Sequence, residues 1–433
     1  MLKSDYTYSP GSGFKIILLI FCLLLNVRLL TELPRMLRDV GWVNNEMSNY
    51  DLNRSISLIL LIFCFFGLLV KRKMQISTLL AQVTTCLTVY FFLSVLLAAY
   101  NFTKLGMPLT GIFVVLSRFI IELVLIIFVM NFIRSKSDLD DLFTYFFKPA
   151  IFVIFLIGFL QISTKSYAEV QGIFRVTGPF GSPTTLAGFL HLFIALTIYY
   201  WKHRSVNFWI VLGMQYLLLF FTGSIAAIAA NLMFLILIAY AQRWYKLKMF
   251  YFMLPVVVIT VISSAIYKWE SILLRVSTLV NTRSFRMPEG SSIKWRFDAW
   301  GHYIDLLGNS LFNWIFGLGL GTQRWILHPE YENSLYRIFD APGTHNDYLT
   351  VLVDFGIVGL IIFIFISWLV HRSIRQAEAY DPKLYFLRFY FYTTFLLMLS
   401  ENYIDQLIMF VFMVFLAAVI KAAAVRREEI ESQ

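Results

Sequence analysis

The chain has 433 residues, of which 59% are hydrophobic and only 14% charged. A soluble domain averages about 25% charged residues, so one water-facing fold around a single core is excluded. The net charge of +10 does not point to nucleic acid, because the basic residues gather in short turns between apolar runs, where they report topology.

Apolar runs of the ~17–25 residues that cross a hydrocarbon core recur along the chain. They predict an all-α polytopic membrane protein of about twelve spans, near 14–31, 55–70, 76–99, 109–133, 143–163, 185–201, 206–221, 224–241, 248–267, 347–370, 385–400 and 403–420. No small-residue cleavage pattern follows the first run, which reads as a retained span. Only Thr222-Gly223-Ser224 divides the seventh run from the eighth. Cys22, Cys64 and Cys86 lie inside apolar runs without CxxC spacing, which argues against a disulfide framework or a zinc site.

The short turns orient the spans. Lys71, Arg72 and Lys73 share one turn, and Arg134 and Lys136 another. Lys202 with Arg204, then Arg243, Lys246 and Lys248, then Arg372, Arg375 and Lys383 fill the later ones. With twelve spans all of these fall on one side, which the positive-inside rule makes cytoplasmic together with both termini. The chain then divides into an N-terminal membrane domain (1–267, about nine spans), a large external loop (268–346), and C-terminal spans with a cytoplasmic tail (347–433).

The long loop carries its own pattern. Ile293, Phe297, Trp300, Ile304 and Leu307 recur at helical spacing, forming an amphipathic helix that would lie at the membrane surface. Asp298 and His302 fall on its opposite face, and Arg296 on the rim of the stripe. Gly317-Leu318-Gly319-Leu320-Gly321 follows as a flexible turn.

Two helix starts face outward. In Arg175-Val176-Thr177-Gly178-Pro179-Phe180-Gly181-Ser182-Pro183, Ser182 fits an N-cap and Pro183 a first helical residue. Unpaired helix amides beside an arginine suit a phosphate; the alternative is a Gly/Pro turn with a snorkelling arginine. The second start is Gly343-Thr344-His345-Asn346-Asp347, where His345 has the chemistry of a general acid or base; the alternative is a surface histidine before a cap. Arg118 and Glu122, spaced i, i+4 in the fourth span, read as an internal salt bridge. Asp347, Asp354, Glu401 and Asp405 are acids placed to line a polar cavity. The remaining loop cations, Arg275, Arg283, Arg286, Lys294, Arg324 and Arg337, read as headgroup-facing or solvated.

Taken together, His345-Asn346-Asp347-Tyr348-Leu349, the Gly356-Ile357-Val358-Gly359 step, Arg175-Val176-Thr177-Gly178, and Trp295-Arg296 with the glycine turn resemble the motifs of the O-antigen ligase and O-antigen polymerase superfamily of bacterial membrane glycosyltransferases. The resemblance covers roughly residues 170–365. Pro183-Thr184 departs from the Pro-Asn often found in the upstream motif. The resemblance implies a GT-C-like fold with a large periplasmic loop in the cytoplasmic (inner) membrane. The implied donor is a glycan on undecaprenyl diphosphate, and the acceptor is a second glycan or lipid A–core. The family is thought to need no metal or other cofactor, and a chain-length regulator and a flippase are implied partners. By this resemblance and the chemistry above, His345 and Arg296 are catalytic candidates, and Arg175, Arg296 and Asn346 are diphosphate-binding candidates; His345 fits either a base or a cationic contact to the diphosphate. Polymerase is favoured over ligase. A lipid-linked-oligosaccharide transporter or flippase is the other class, and it is disfavoured by the one-sided clustering of polar groups and the absence of a visible repeat.

Overall fold

The computed structural model describes residues 12–30, 49–70, 88–100, 109–133, 135–166, 168–170, 173–180, 182–201, 205–243, 246, 251, 255, 292–322, 345–399 and 407–432. Its helices are α1 (Ser12–Leu29), α2 (Asn49–Val70), α3 (Thr88–Tyr100), α4 (Leu109–Phe132), α5 (Lys136–Thr164), α6 (Pro183–Tyr200), α7 (Val206–Thr222), α8 (Ile225–Ala241), α9 (Ser292–Gly308), α10 (Leu311–Phe316), α11 (Asp347–Glu378), α12 (Tyr385–Met398) and α13 (Leu407–Ser432). Each expected span except 248–267 carries one of these helices; that one lies outside the described residues apart from Tyr251 and Pro255. Among the described residues three helices, α5, α6 and α11, are long and apolar enough to cross a membrane, and several shorter apolar helices accompany them.

Local chemistry sets the helix ends. A reciprocal capping box between Ser135 and Asp138 starts α5. At the α7–α8 junction Gly223 adopts a left-handed conformation (φ 65°), and the Ser224 hydroxyl accepts the Ala227 amide of α8. The three residues that break the apolar run are therefore a C-cap and an N-cap back to back.

Burial ranks the helices. In α6, Leu186 through Tyr199 are all buried, which marks it as the central helix, apolar on every side. Outer helices leave large apolar side chains exposed, including Phe152 on α5, Ile236 on α8 and Ile361 on α11. In water these would be a liability; they fit a lipid surround.

One departure from the all-α expectation is a two-stranded antiparallel ribbon, β1 (Ala168–Val170) with β2 (Ile173–Arg175), in which Ala168 pairs with Arg175. Strands of three residues are too short for a two-residue period to register in the sequence.

The core also contains a polar joint that no sequence pattern announces. His191 of α6 is buried, with Nδ1 2.9 Å from the Asn231 Oδ1 of α8 and Nε2 3.0 Å from the Thr393 hydroxyl of α12. The Asn231 amide nitrogen donates to the Ala227 carbonyl, so its Oδ1 is an acceptor. That assigns a proton of His191 to Nδ1. The Thr393 hydroxyl beside Nε2 donates to the Phe389 and Tyr390 carbonyls of its own helix (3.0 Å each). The imidazole thus ties three helices. His191→Leu leaves the Asn231 Oδ1 unmatched and is expected to lower unfolding free energy by about 1–3 kcal/mol. Equilibrium unfolding in detergent checks this, and a stability equal to the parent would remove the joint from the account of the core.

Candidate functional site

Arg175 ends β2 and is buried. The segment after it is fixed from two sides. The Val176 amide donates to the Phe221 carbonyl at the end of α7 (3.0 Å). The fully buried Gln161 of α5 accepts the Thr177 and Gly178 amides on Oε1 (3.1 and 2.9 Å) and donates through Nε2 to the Thr177 hydroxyl (3.1 Å). Phe180 stacks on Phe189 with parallel rings 4.5 Å apart. Ser182 then caps α6, its hydroxyl accepting the Thr184 amide, with Pro183 in the first turn. The expected cap is present, and Gln161, unforeseen from sequence, is the side chain that organises the approach to it.

The second helix start falls at residue 347, as expected. Asn346 is the N-cap of α11, its Oδ1 accepting the Leu349 amide at 3.1 Å. Asn346 is thereby committed on its oxygen side to the cap. His345 directly precedes it, half-buried and in a left-handed conformation (φ 49°), sparsely populated by non-glycine residues. Asp347 in the first turn and Asp354 two turns on are both buried. Tyr348 donates its hydroxyl to the Phe395 carbonyl of α12.

The helix that carries these residues is broken. Gly356 sits inside α11 at φ 68° and ψ −168°, which interrupts the i→i+4 ladder and frees the carbonyls before it. The glycine turn supplies replacements. The Leu318 amide donates to the Val353 carbonyl (2.7 Å) and the Gly319 amide to the Asp354 carbonyl (3.0 Å). The Tyr90 hydroxyl of α3 donates to the Phe355 carbonyl. The Gly321 amide meets the Asp354 carboxylate at 2.9 Å, and the Leu320 amide reaches the Ser94 carbonyl of α3 (3.2 Å). Expected from sequence as a flexible turn, residues 317–322 are buried and bonded on two sides. Glycine is required at the contact itself: a Cβ on Gly317 (φ 80°) would lie 2.6 Å from the Asp354 carbonyl oxygen, and one on Gly356 would collide with Ile315.

Arg296 reaches this assembly through α9. Ala299, Tyr303 and Leu307 form one buried cluster with Leu318 of the turn and with Leu349 and Val353 of α11. Arg296 lies about one turn before this line and is half-buried. The described contacts therefore join the Arg296 helix, the glycine turn and the His345 helix into one body, whereas the bonds around Arg175 run to α5 and α7. The side chain of Arg118, Glu401, Asp405, and the loop cations Arg275, Arg283, Arg286, Arg324 and Arg337 lie outside the described residues. Among the described residues no group of three or more His, Cys, Asp or Glu is placed to hold a metal ion.

Asp354→Ala removes the acceptor of the Gly321 amide and is expected to loosen residues 317–322 by about 1–3 kcal/mol, while Asp354→Asn retains an oxygen acceptor and restores most of it. Hydrogen–deuterium exchange across the turn reads the difference. Equal protection in the parent and the alanine variant would show that the carboxylate does not hold the turn.

No curated protein matches the chain. Residues 216–364 match the family model described as O-antigen ligase. The matched stretch includes Arg296, the glycine turn, His345, Asn346 and the Gly356 break, and it stops short of Arg175 on the N-terminal side. Over residues 216–364, about a third of its length, the chain is similar to the O-antigen ligase family, which supports the O-antigen ligase and polymerase superfamily.

Proposed function

We propose that the protein is a glycosyltransferase of the bacterial inner membrane that polymerises undecaprenyl-diphosphate-linked glycan repeat units at the periplasmic face. The family match over residues 216–364 supports the glycosyltransferase part of this reading, polymerase or ligase alike, and the stretch it covers is the one that ties Arg296 and His345 into a single body. In the proposed arrangement twelve spans place both termini in the cytoplasm, residues 268–346 form the periplasmic loop between membrane domains 1–267 and 347–433, and the site opens outward.

The reaction joins an acceptor hydroxyl to the anomeric carbon of the donor. The new C–O bond forms as the bond from that carbon to the diphosphate oxygen breaks. The bonding pair leaves with undecaprenyl diphosphate, and the hydroxyl proton passes to a base. Arg296 is assigned to the diphosphate, where a fixed guanidinium stabilises charge that grows as the leaving group departs. Arg175, which ends β2 in the segment leading to the Ser182 cap of α6, is assigned to the same anion from the other anchor. His345 is assigned as the base that orients the acceptor hydroxyl and takes its proton. Asn346 acts by capping the helix that presents His345.

Purified protein supplied with undecaprenyl-diphosphate-linked repeat units alone is expected to yield a ladder of longer lipid-linked glycans. His345→Ala lowers the rate by about 10²–10⁴-fold. Arg296→Ala and Arg175→Ala each lower it by about 10²–10³-fold, and Arg296→Lys stays well below the parent because a point charge does not replace the guanidinium fork. Undiminished elongation in both His345→Ala and Arg296→Ala would overturn the site assignment. Product formed only when lipid A–core is added would make the enzyme a ligase.

A further inference from the structure

We propose that the exposed apolar edge of α9 and α10 is seated in lipid hydrocarbon, so that this part of the long loop rests in the outer leaflet rather than standing free in water. The membrane-facing orientation comes from the topology above, and the inference does not depend on glycosyl transfer.

The argument starts from a mismatch between sequence pattern and packing. The apolar stripe of α9 is centred near Phe297, Trp300 and Ile304, but the line that packs on α11 is Ala299, Tyr303 and Leu307. At 100° per residue the buried line is rotated by roughly 80° from the centre of the stripe. One edge of the stripe is thus consumed by protein contact and the other is left open. On that open edge Phe297 is 54% exposed and Ile304 45% exposed. Gly301 and Gly308 share it, and a Cβ built on either meets nothing within 4 Å. The edge continues onto α10, where Leu311 is 76% exposed and Phe312 54%.

Continuity with the membrane-facing surface identifies the occupant. α10 packs against α11, and its Ile315 carbonyl lies at the Gly356 break. The next residue of α11, Ile357, is exposed, and Ile361, Ile364 and Phe365 extend an exposed apolar surface along that membrane-length helix. Exposed apolar side chains therefore occur on α11, α10 and α9, three elements packed one on the next. The flanks are polar: Arg296 precedes Phe297, and Asp305 and Asn309 are exposed beside the edge. A helix with one face on protein, one edge apolar and polar flanks has the make-up of an element lying in the interface plane. Seated this way, α9 holds Arg296 at headgroup depth, the level of a lipid diphosphate under the function proposed above.

The test uses the full chain in nanodiscs of phosphatidylethanolamine and phosphatidylglycerol. Spin labels on Phe297→Cys, Ile304→Cys and Phe312→Cys, with the signal of the unsubstituted protein subtracted, should be relaxed more by oxygen than by a water-soluble nickel chelate. Labels on Asp305→Cys and Asn309→Cys should show the reverse order. Dominant nickel relaxation at the first three positions would place the edge in water, and exclusion of both reagents would place it under protein; either overturns the proposal. As a cysteine-independent check, benzoylphenylalanine in place of Ile304 should give a phospholipid adduct on illumination. An adduct to a peptide of this chain or of a second copy, or no adduct, counts against it.

Discussion

A backbone carbonyl has no water to turn to inside or at the edge of a bilayer, so a helix that breaks there must find other donors. The Gly356 break in α11 frees carbonyls at Val353, Asp354 and Phe355, and each has one: Leu318, Gly319 and Tyr90. Leaving a single such group bare in apolar surroundings costs about 1–3 kcal/mol, so three bare groups would consume much of a typical stability margin of about 5–15 kcal/mol. The position of the glycine turn is thereby obligatory. α10 precedes that turn and α9 precedes α10, so the placement of Arg296 descends from the same requirement.

The Arg175 arm is fixed by different means. Its anchor is one amide side chain, Gln161, that satisfies two backbone amides and a hydroxyl in a fully buried setting. The α7 terminus adds the Phe221 carbonyl. Two cationic groups assigned to one anion thus come from bodies with separate supports, one in the α5–α7 region and one on α9. The Arg175 arm is thus held by a neutral amide side chain, whereas the turn behind α9 is held in part by the buried Asp354 carboxylate.

What could be read from the sequence was whatever depends on neighbours along the chain. The apolar runs became helices, Thr222-Gly223-Ser224 became paired caps, and Ser182-Pro183 opened α6 as its residue types dictate. Features that depend on contacts distant in sequence stayed hidden. Nothing local tells Gly317–Gly321 that the Val353 and Asp354 carbonyls await it, so a buried wedge read as a flexible turn. The same holds for His191, whose partners lie 40 and 202 residues away. The rotated packing line of α9 was hidden because small Ala299 and polar-tipped Tyr303 do not stand out in an apolar count, yet they are buried in one cluster with Leu349 and Val353 of α11. The start of α11 at Asp347 was legible from the apolar run that opens there, whereas the left-handed conformation of His345 just before its cap was not.

The break also gives the 347–355 segment a direction of its own. In an unbroken helix the N-terminal amides and His345 would point along the axis set by the apolar half of α11, which the bilayer orients. With Gly356 non-helical, the aim of this segment is set instead by the wedge, by the Tyr348 bond to α12 and by the α9 cluster. The glycine turn and α9 thus steer the half of α11 before the break. Substitutions in the wedge therefore act on the geometry of His345 at a distance, through backbone bonds and packing, while the arginines and the histidine themselves remain chemically intact.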